Sequence, residues 1–224
     1  AHLAEETGAH RLIIGGGEIT PALPGGTLAD GSDSQASVDA EARWGALIEA
    51  VRSTYSGDLA FETVYTPELI LPSFLDSVDT IVIRLEAPLA DAPDETPAVL
   101  QQNALSSVAD VVNQTALFSG QSLVISFSFP SIDGGTTGCI SGEQLTCIPV
   151  RHFDHGLNPG GPDVDLAEQM EAIHAVMLAV YRFERVNGVY INSLNPASSL
   201  PDKSASILGK PAQELVTNWF ARIR

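Results

Sequence analysis

The sequence predicts an α/β protein of the TIM-type (β/α) barrel class, and three observations carry that expectation. Short apolar runs alternate with longer stretches of helical periodicity along the 224 residues, the pattern of a parallel sheet with right-handed crossovers. The short runs are almost continuously apolar, as strands covered on both faces should be. Segments after the strands are long and those leading back are short, so one end of the sheet carries the elaborated loops, as in barrel enzymes. A doubly wound open sheet shares the first two features.

The expected strands run from Arg11 to Gly15, Leu59 to Val64, Thr80 to Leu85, Ser122 to Phe129 and Gly188 to Asn192. Leu12, Ile14, Phe61, Ile81, Ile83, Val124 and Ile191 should be buried in them. Ser37 is placed to cap a helix with Asp39 and Glu41 in its first turn and Trp44, Ile48, Val51 and Tyr55 along one face. Pro67 to Ser77 reads as a shorter helix, interrupted by Pro72. Pro97 to about Asn113 is another, with Val99, Leu105, Val108 and Val112 as its apolar positions. Asp165 and Glu168 have the spacing of a capping box, followed by Met170, His174, Met177 and Tyr181 on one stripe. The last helix opens at Pro211, suited to a first turn, and should bury Leu215, Trp219 and Ile223. The long loops span Gly16 to Ala36, Ala87 to Thr96, Pro130 to Val164 and Ser193 to Lys210. The returns are as short as Ser56-Gly57-Asp58 and Asn187.

A hydrophobic content of 44% with 17% charged residues suits one sizeable core, so residues 1–224 are expected to form a single domain. Disorder is excluded on the same grounds. No apolar run approaches the roughly 18 residues that would span a bilayer. The sequence begins at Ala1 without a methionine or signal peptide, which implies that processing removed them or that the stretch given omits them. Acids outnumber bases 28 to 11 and only two lysines occur, Lys203 and Lys210. Such a field repels a phosphate backbone, so no nucleic-acid partner is expected. Otherwise the acidity reads as an ordinary solvated surface. No G-x-G-x-x-G follows any strand, and Gly15-Gly16-Gly17 leads into a proline-rich loop, so no nucleotide cofactor is implied and none is expected.

Cys139 and Cys147 lie close together in a Gly- and Thr-rich segment, suited to a disulfide that closes a small loop in an oxidising compartment. Free thiols and a redox pair are the alternatives. A zinc site is weakly supported, because only His152 and His155 lie nearby. Together with Asp154 these histidines read as a polar surface loop, and no metal is expected. Asp163 and Asp165 fit a helix cap better than calcium, and His174 sits on a helix stripe as a core or half-buried residue. Asn113-Gln114-Thr115 is a glycosylation sequon inside an expected helix.

The segments RWGALIEAVRSTYSGDLAFETVY, FLDSVDTIVIRL, SLVISFSFPS and PDKSASILGKPAQELVTNWFARI together resemble the glycoside-hydrolase barrels of the mannanase-like group. They are similar to that family's passage from fourth helix to fifth strand, its sixth and seventh strands, and its end, where Gly-Lys-Pro-Ala opens the last helix. The resemblance covers most of the chain and implies that the sequence holds roughly strands four to eight. An N-terminal segment or another chain would then complete the barrel. It also implies an extracellular or cell-surface protein that takes a carbohydrate ligand.

Glycosidic hydrolysis ordinarily uses two carboxyl groups, and the family carries them after the fourth and seventh strands. Glu18 is the implied acid/base, displaced by about one residue because three glycines precede it; a solvated loop glutamate is the alternative. At the seventh strand the family's glutamate position falls on Ser126, although Phe129-Pro130-Ser131 match. A serine has no charged oxygen at neutral pH with which to attack the anomeric carbon. Glu62, in the second expected strand, and Glu86, at the end of the third, are the remaining candidate carboxylates, though Glu62 is also placed to neutralise Arg84. Asn192 and Asn195 are candidates to hydrogen-bond sugar hydroxyls, Asn195-Pro196 being also a turn signal. Two functions follow: a hydrolase acting on a polysaccharide, or a non-catalytic barrel that binds carbohydrate or serves as a structural surface protein.

Overall fold

The computed structural model describes residues 1–28, 30–36, 38–141, 147–153, 161–196 and 200–222; Ser37, Asp154, His155 and Ile223 lie outside them. Strands β1 (Arg11–Gly15), β2 (Asp58–Val64), β3 (Thr80–Leu85), β4 (Ser122–Phe127) and β7 (Val186–Ile191) form a five-stranded sheet in that order. Between β4 and β7 in the chain, β5 (Cys139–Ser141) and β6 (Cys147–Pro149) make a separate antiparallel hairpin. The helices are α1 (His2–Glu6), α2 (Ala40–Arg52), α3 (Pro97–Gln114), α4 (Leu166–Val180) and α5 (Pro211–Arg222). β1, β2 and β3 pair in parallel, with Ile14 beside Phe61 and Phe61 beside Ile81.

Burial grades across the sheet. Phe61, Ile81, Ile83 and Val124, in the middle strands, are buried as expected. Leu12, Ile14 and Ile191 are only half-buried, and Ile13 is 40% exposed. The expectation fails at these three because, among the described residues, β1 and β7 end the strand order and pair with a strand on one side only.

The chain divides into two compact units, one of residues 1–84, 111–125 and 185–188, the other of residues 85–110, 126–184 and 189–224. In the first unit, α2 and β2 are joined by an aromatic cluster. Trp44 lies edge-on to Phe61 and stacked on Phe74, with centroids 5.5 and 5.4 Å away. Ile48 and Tyr55 are buried as the periodicity predicts, and Trp44 and Val51 are half-buried. The expected helix from Pro67 to Ser77 is instead a 3-10 turn over Ser73–Ser77. Pro67 and Pro72 cannot donate to a helical ladder. The turn is fixed by Glu41, which accepts from Ser73 Oγ at 2.5 Å and Phe74 N–H at 2.8 Å.

In the second unit, Asp165 caps α4 by accepting from the Ala167 and Glu168 amides, both at 2.8 Å. Glu168 does not complete a capping box; its carboxylate is buried elsewhere. α4 buries Ala172, Ile173, Val176 and Met177 and leaves His174 half-buried, as expected, whereas Tyr181 is 73% exposed, which corrects the stripe at that end. α5 buries Ala212 and Val216, with Leu215 and Trp219 half-buried. α3 buries Leu100, Ala104, Val108 and Val111, leaving Leu105 and Val112 half-buried and Val99 exposed. In α3 Val108 is buried as expected and the other three expected positions each give way to a direct neighbour, whereas α5 is turned by one position, from Leu215 to Val216. Among the described residues no helix is long and apolar enough to cross a membrane.

Candidate functional site

A cavity of about 230 Å³ opens in the second unit where two strands end. Glu86 and Ala87 follow β3 into it, Ser128 and Phe129 follow β4, and Gly135, Thr136 and Gly138 form a wall continued by Pro149, Val150 and Arg151. The wall is tight. A side chain at Gly135 would come within 2.8 Å of the Pro130 carbonyl and 3.0 Å of that of Ile132. Gly138, at φ +75°, lies against the Pro88 ring and its carbonyl accepts from Val150 N–H at 3.1 Å. Cys139 and Cys147 are joined, as expected, with Cα atoms 5.3 Å apart. The disulfide closes the hairpin that leads from Gly138 to Arg151.

Among the described residues that line the cavity, Glu86 is the one carboxylate and Arg151 the one cation. Their Oε2 and Nη1 are 3.8 Å apart, with the Arg151 side chain 59% exposed. A long pair of this kind, with an exposed arginine, contributes little to stability in water.

The turn behind the wall is held from several sides. Ile132 bridges Val164, Asp133 N–H donates to the Asp163 carbonyl, and Glu168 accepts from Gly134 N–H, Thr136 N–H and Thr136 Oγ. Below it, Lys210 is 3% exposed and donates Nζ–H to Ser131 Oγ and the Ser204 carbonyl, both at 2.8 Å. Burial lowers the Lys210 ammonium below its ordinary value, against a smaller opposing pull from Asp202.

In the first unit, Phe61 points at α2, so by strand alternation Glu62 lies on the opposite face of β2. There it pairs with Arg84 at 3.8 Å. The three glycines after β1 belong to this arrangement. Gly15 and Gly16 have φ of +97° and +123°, and Gly16 N–H donates to the Glu62 carbonyl at 2.8 Å. A side chain at Gly17 would run into the Arg84 guanidinium. The glycine run is thus a close backbone approach to β2 and β3. Glu18 falls in the 3-10 turn Gly17–Ala22, and its side chain lies outside what the structure describes.

The other sequence candidates are placed away from the cavity lining. Ser126 is 1% exposed, and its Oγ has no hydrogen-bond partner among the described residues. Asn192 is half-buried and extends the ladder, its N–H donating to the Phe127 carbonyl at 2.9 Å. Asn195 is tied through its backbone to Ser206 Oγ at 3.0 and 3.2 Å. His174 stands 6.0 Å from the Trp219 ring, and His152 is exposed on the 3-10 turn Val150–Phe153. No three His, Cys, Asp or Glu side chains among the described residues gather as a metal cluster. In the sequon Asn113 is exposed, but Thr115 is buried and bonded back to the Val111 carbonyl. Sequence reading missed Arg151, Thr136, Glu168 and Lys210. The rarity of lysine was the one available signal, for Lys210.

No family model and no curated protein matches the sequence. Solved structures do match the fold. A GH113 β-1,4-mannanase aligns with a TM-score of 0.64 at 16% identity, covering 99% of this chain and 59% of its own. The GH113 β-mannanase AaManA from Alicyclobacillus acidocaldarius, in complex with ManMIm, aligns at 0.61 and 22% identity, covering 100% and 58%. A GH2 β-galacturonidase from Eisenbergiella tayi aligns at 0.51 and 12%, covering 83% and 30%. The chain therefore spans less than two thirds of the mannanases it matches, and identities this low speak for the fold alone. In that fold the chain is similar to part of a glycoside-hydrolase (β/α) barrel, built on a parallel α/β sheet.

Proposed function

We propose that the cavity beside Glu86 binds carbohydrate and that the chain does so without the two-carboxylate machinery of a retaining hydrolase. The observation that carries this is that Glu86 stands alone as a carboxylate among the described residues lining the cavity, where hydrolysis would call for two. Ser126, at the position of the family's nucleophile by resemblance, is buried and offers no charge. A carboxylate and an arginine beside apolar lining residues suit a sugar, which presents hydroxyls at its edge and an apolar face. At about 230 Å³ the space lies below the roughly 300–1,000 Å³ of most ligand pockets, so it fits a short sugar unit. The disulfide supports an extracellular or cell-surface setting. The span of the chain relative to the mannanases supports completion of the barrel by further N-terminal strands or another chain.

The rival reading is a hydrolase in which Glu18 is the acid/base and Glu86 the second carboxyl. The address of Glu86 just past a strand end favours it; Glu62 is a weaker candidate because Arg84 engages it. Calorimetry with β-1,4-linked manno- and gluco-oligosaccharides, alongside product analysis, separates the two. Binding without turnover, weakened about tenfold in Glu86→Gln, as for a charge-assisted hydrogen bond, is the expected result. Turnover with retained anomeric configuration, abolished in Glu18→Gln, would establish the hydrolase instead.

A further inference from the structure

Glu168 is 9% exposed and sits in the first turn of α4, yet its carboxylate serves the cavity wall. Oε2 accepts from Gly134 N–H at 2.8 Å; Oε1 accepts from Thr136 N–H at 2.9 Å and Thr136 Oγ at 2.5 Å. The Thr136 carbonyl in turn accepts from Leu89 N–H at 2.8 Å and Ala90 N–H at 3.2 Å. Leu89 stands three residues beyond Glu86, and Thr136 lines the same cavity as Glu86. One buried carboxylate therefore reaches, through a single threonine, both the wall and the segment that carries Glu86.

We propose that Glu168 is a positioning residue of the ligand cavity, setting the spacing between Glu86 and the Gly135–Gly138 wall. The proposal rests on the reading of this cavity as the carbohydrate site. A carboxylate is acceptor-only and matches three donors, whereas an amide in its place turns an NH2 toward an N–H that has no other partner in the turn. A donor left facing a donor in a buried site must move or stay unsatisfied, and either displaces the turn. Misplacement of a binding group by about 1 Å is enough to cost a large factor in a site that depends on orientation.

The test uses wild type, Glu168→Gln and Thr136→Ser, the last keeping both donors of residue 136. Amide hydrogen exchange is measured without any sugar. Protection at Leu89 and Ala90 should fall in Glu168→Gln by more than any change at β2 amides, and should hold in Thr136→Ser. Unchanged protection at Leu89 and Ala90 overturns the proposal whatever the cavity binds. Calorimetry with a β-1,4-manno-oligosaccharide is the second readout, with affinity expected to fall about tenfold or more in Glu168→Gln and to hold within about twofold in Thr136→Ser. Equal affinity in wild type and Glu168→Gln overturns it as well. If wild type binds no sugar, the carbohydrate reading fails and the exchange result alone decides the role of Glu168. Should Glu168→Gln not fold, Thr136→Val, which deletes one donor of the three, carries the same comparison.

Discussion

Glu62 and Arg84 meet diagonally across β2 and β3, Glu62 lying beside Val82 and Val64 beside Arg84, with their charged atoms 3.8 Å apart. Both side chains are less than a third exposed. The pair is structural in position, since the space at Gly17 is fitted to the Arg84 guanidinium. Glu62→Gln should therefore cost on the order of 1 kcal/mol of stability in urea titration and leave oligosaccharide affinity unchanged. Loss of affinity at full stability would return Glu62 to the site.

Ser126→Ala is expected to raise stability by about 1 kcal/mol, because burying a hydroxyl that finds no partner among the described residues opposes folding. Thermal unfolding decides it. A clear loss of stability would mean that Ser126 Oγ has a partner after all.

Lys210→Met should destabilise by about 3 kcal/mol. It keeps most of the stem, but Ser131 Oγ and the Ser204 carbonyl each lose a buried charged donor. The lowered ammonium also carries a sign. A lysine depressed in the folded state opposes folding while protonated in both states. The wild type should therefore gain stability relative to Lys210→Met as pH rises from the folded pKa toward the ordinary lysine value of about 10.4. Equal pH slopes in the two proteins would refute it.

At the other end of β2, burial by itself would raise Asp58, but the Arg11 guanidinium at 2.8 and 3.0 Å, with the Thr80 hydroxyl, outweighs that and holds the carboxyl below its ordinary value. For a depressed carboxylate, the stabilisation is complete above the unfolded value, about 3.9, and fades as pH falls through the folded one. Asp58→Asn should be destabilised by roughly 1–2 kcal/mol at pH 7, with the difference shrinking below pH 4 in acid titrations followed by circular dichroism.

Reduction of the Cys139–Cys147 link should lower stability by about 2–3 kcal/mol, as for a short closed loop. Native protein should show no free thiol until a reductant is added. Labelling at both cysteines before reduction would contradict the bond.

The frame was legible because its signals are local. Strand periodicity located Phe61, Ile81, Ile83 and Val124, and the Asp165 cap followed from residue type and spacing. Burial at Leu12 and Ile191 was overestimated because it depends on how many neighbours a strand has, which no local pattern records. The cavity was only partly legible. Glu86 could be placed from its strand end, but Arg151 arrives through a hairpin and Thr136 through a turn, both set by non-local contacts. Glu168 misled because a glutamate at the third position of a helix has two uses, and the choice lies in Gly134 and Thr136.

The half-covered strands at the two ends of the sheet order have a bearing on handling the protein. β1 carries Ile13 at 40% exposure beside Leu12 and Ile14, a short apolar rim with backbone groups that invite another strand. Such rims recruit whatever extended chain is at hand. Purified alone at high concentration, this stretch of polypeptide should self-associate through β1 and β7, and a charge at Ile13 should be the simplest way to keep it in solution.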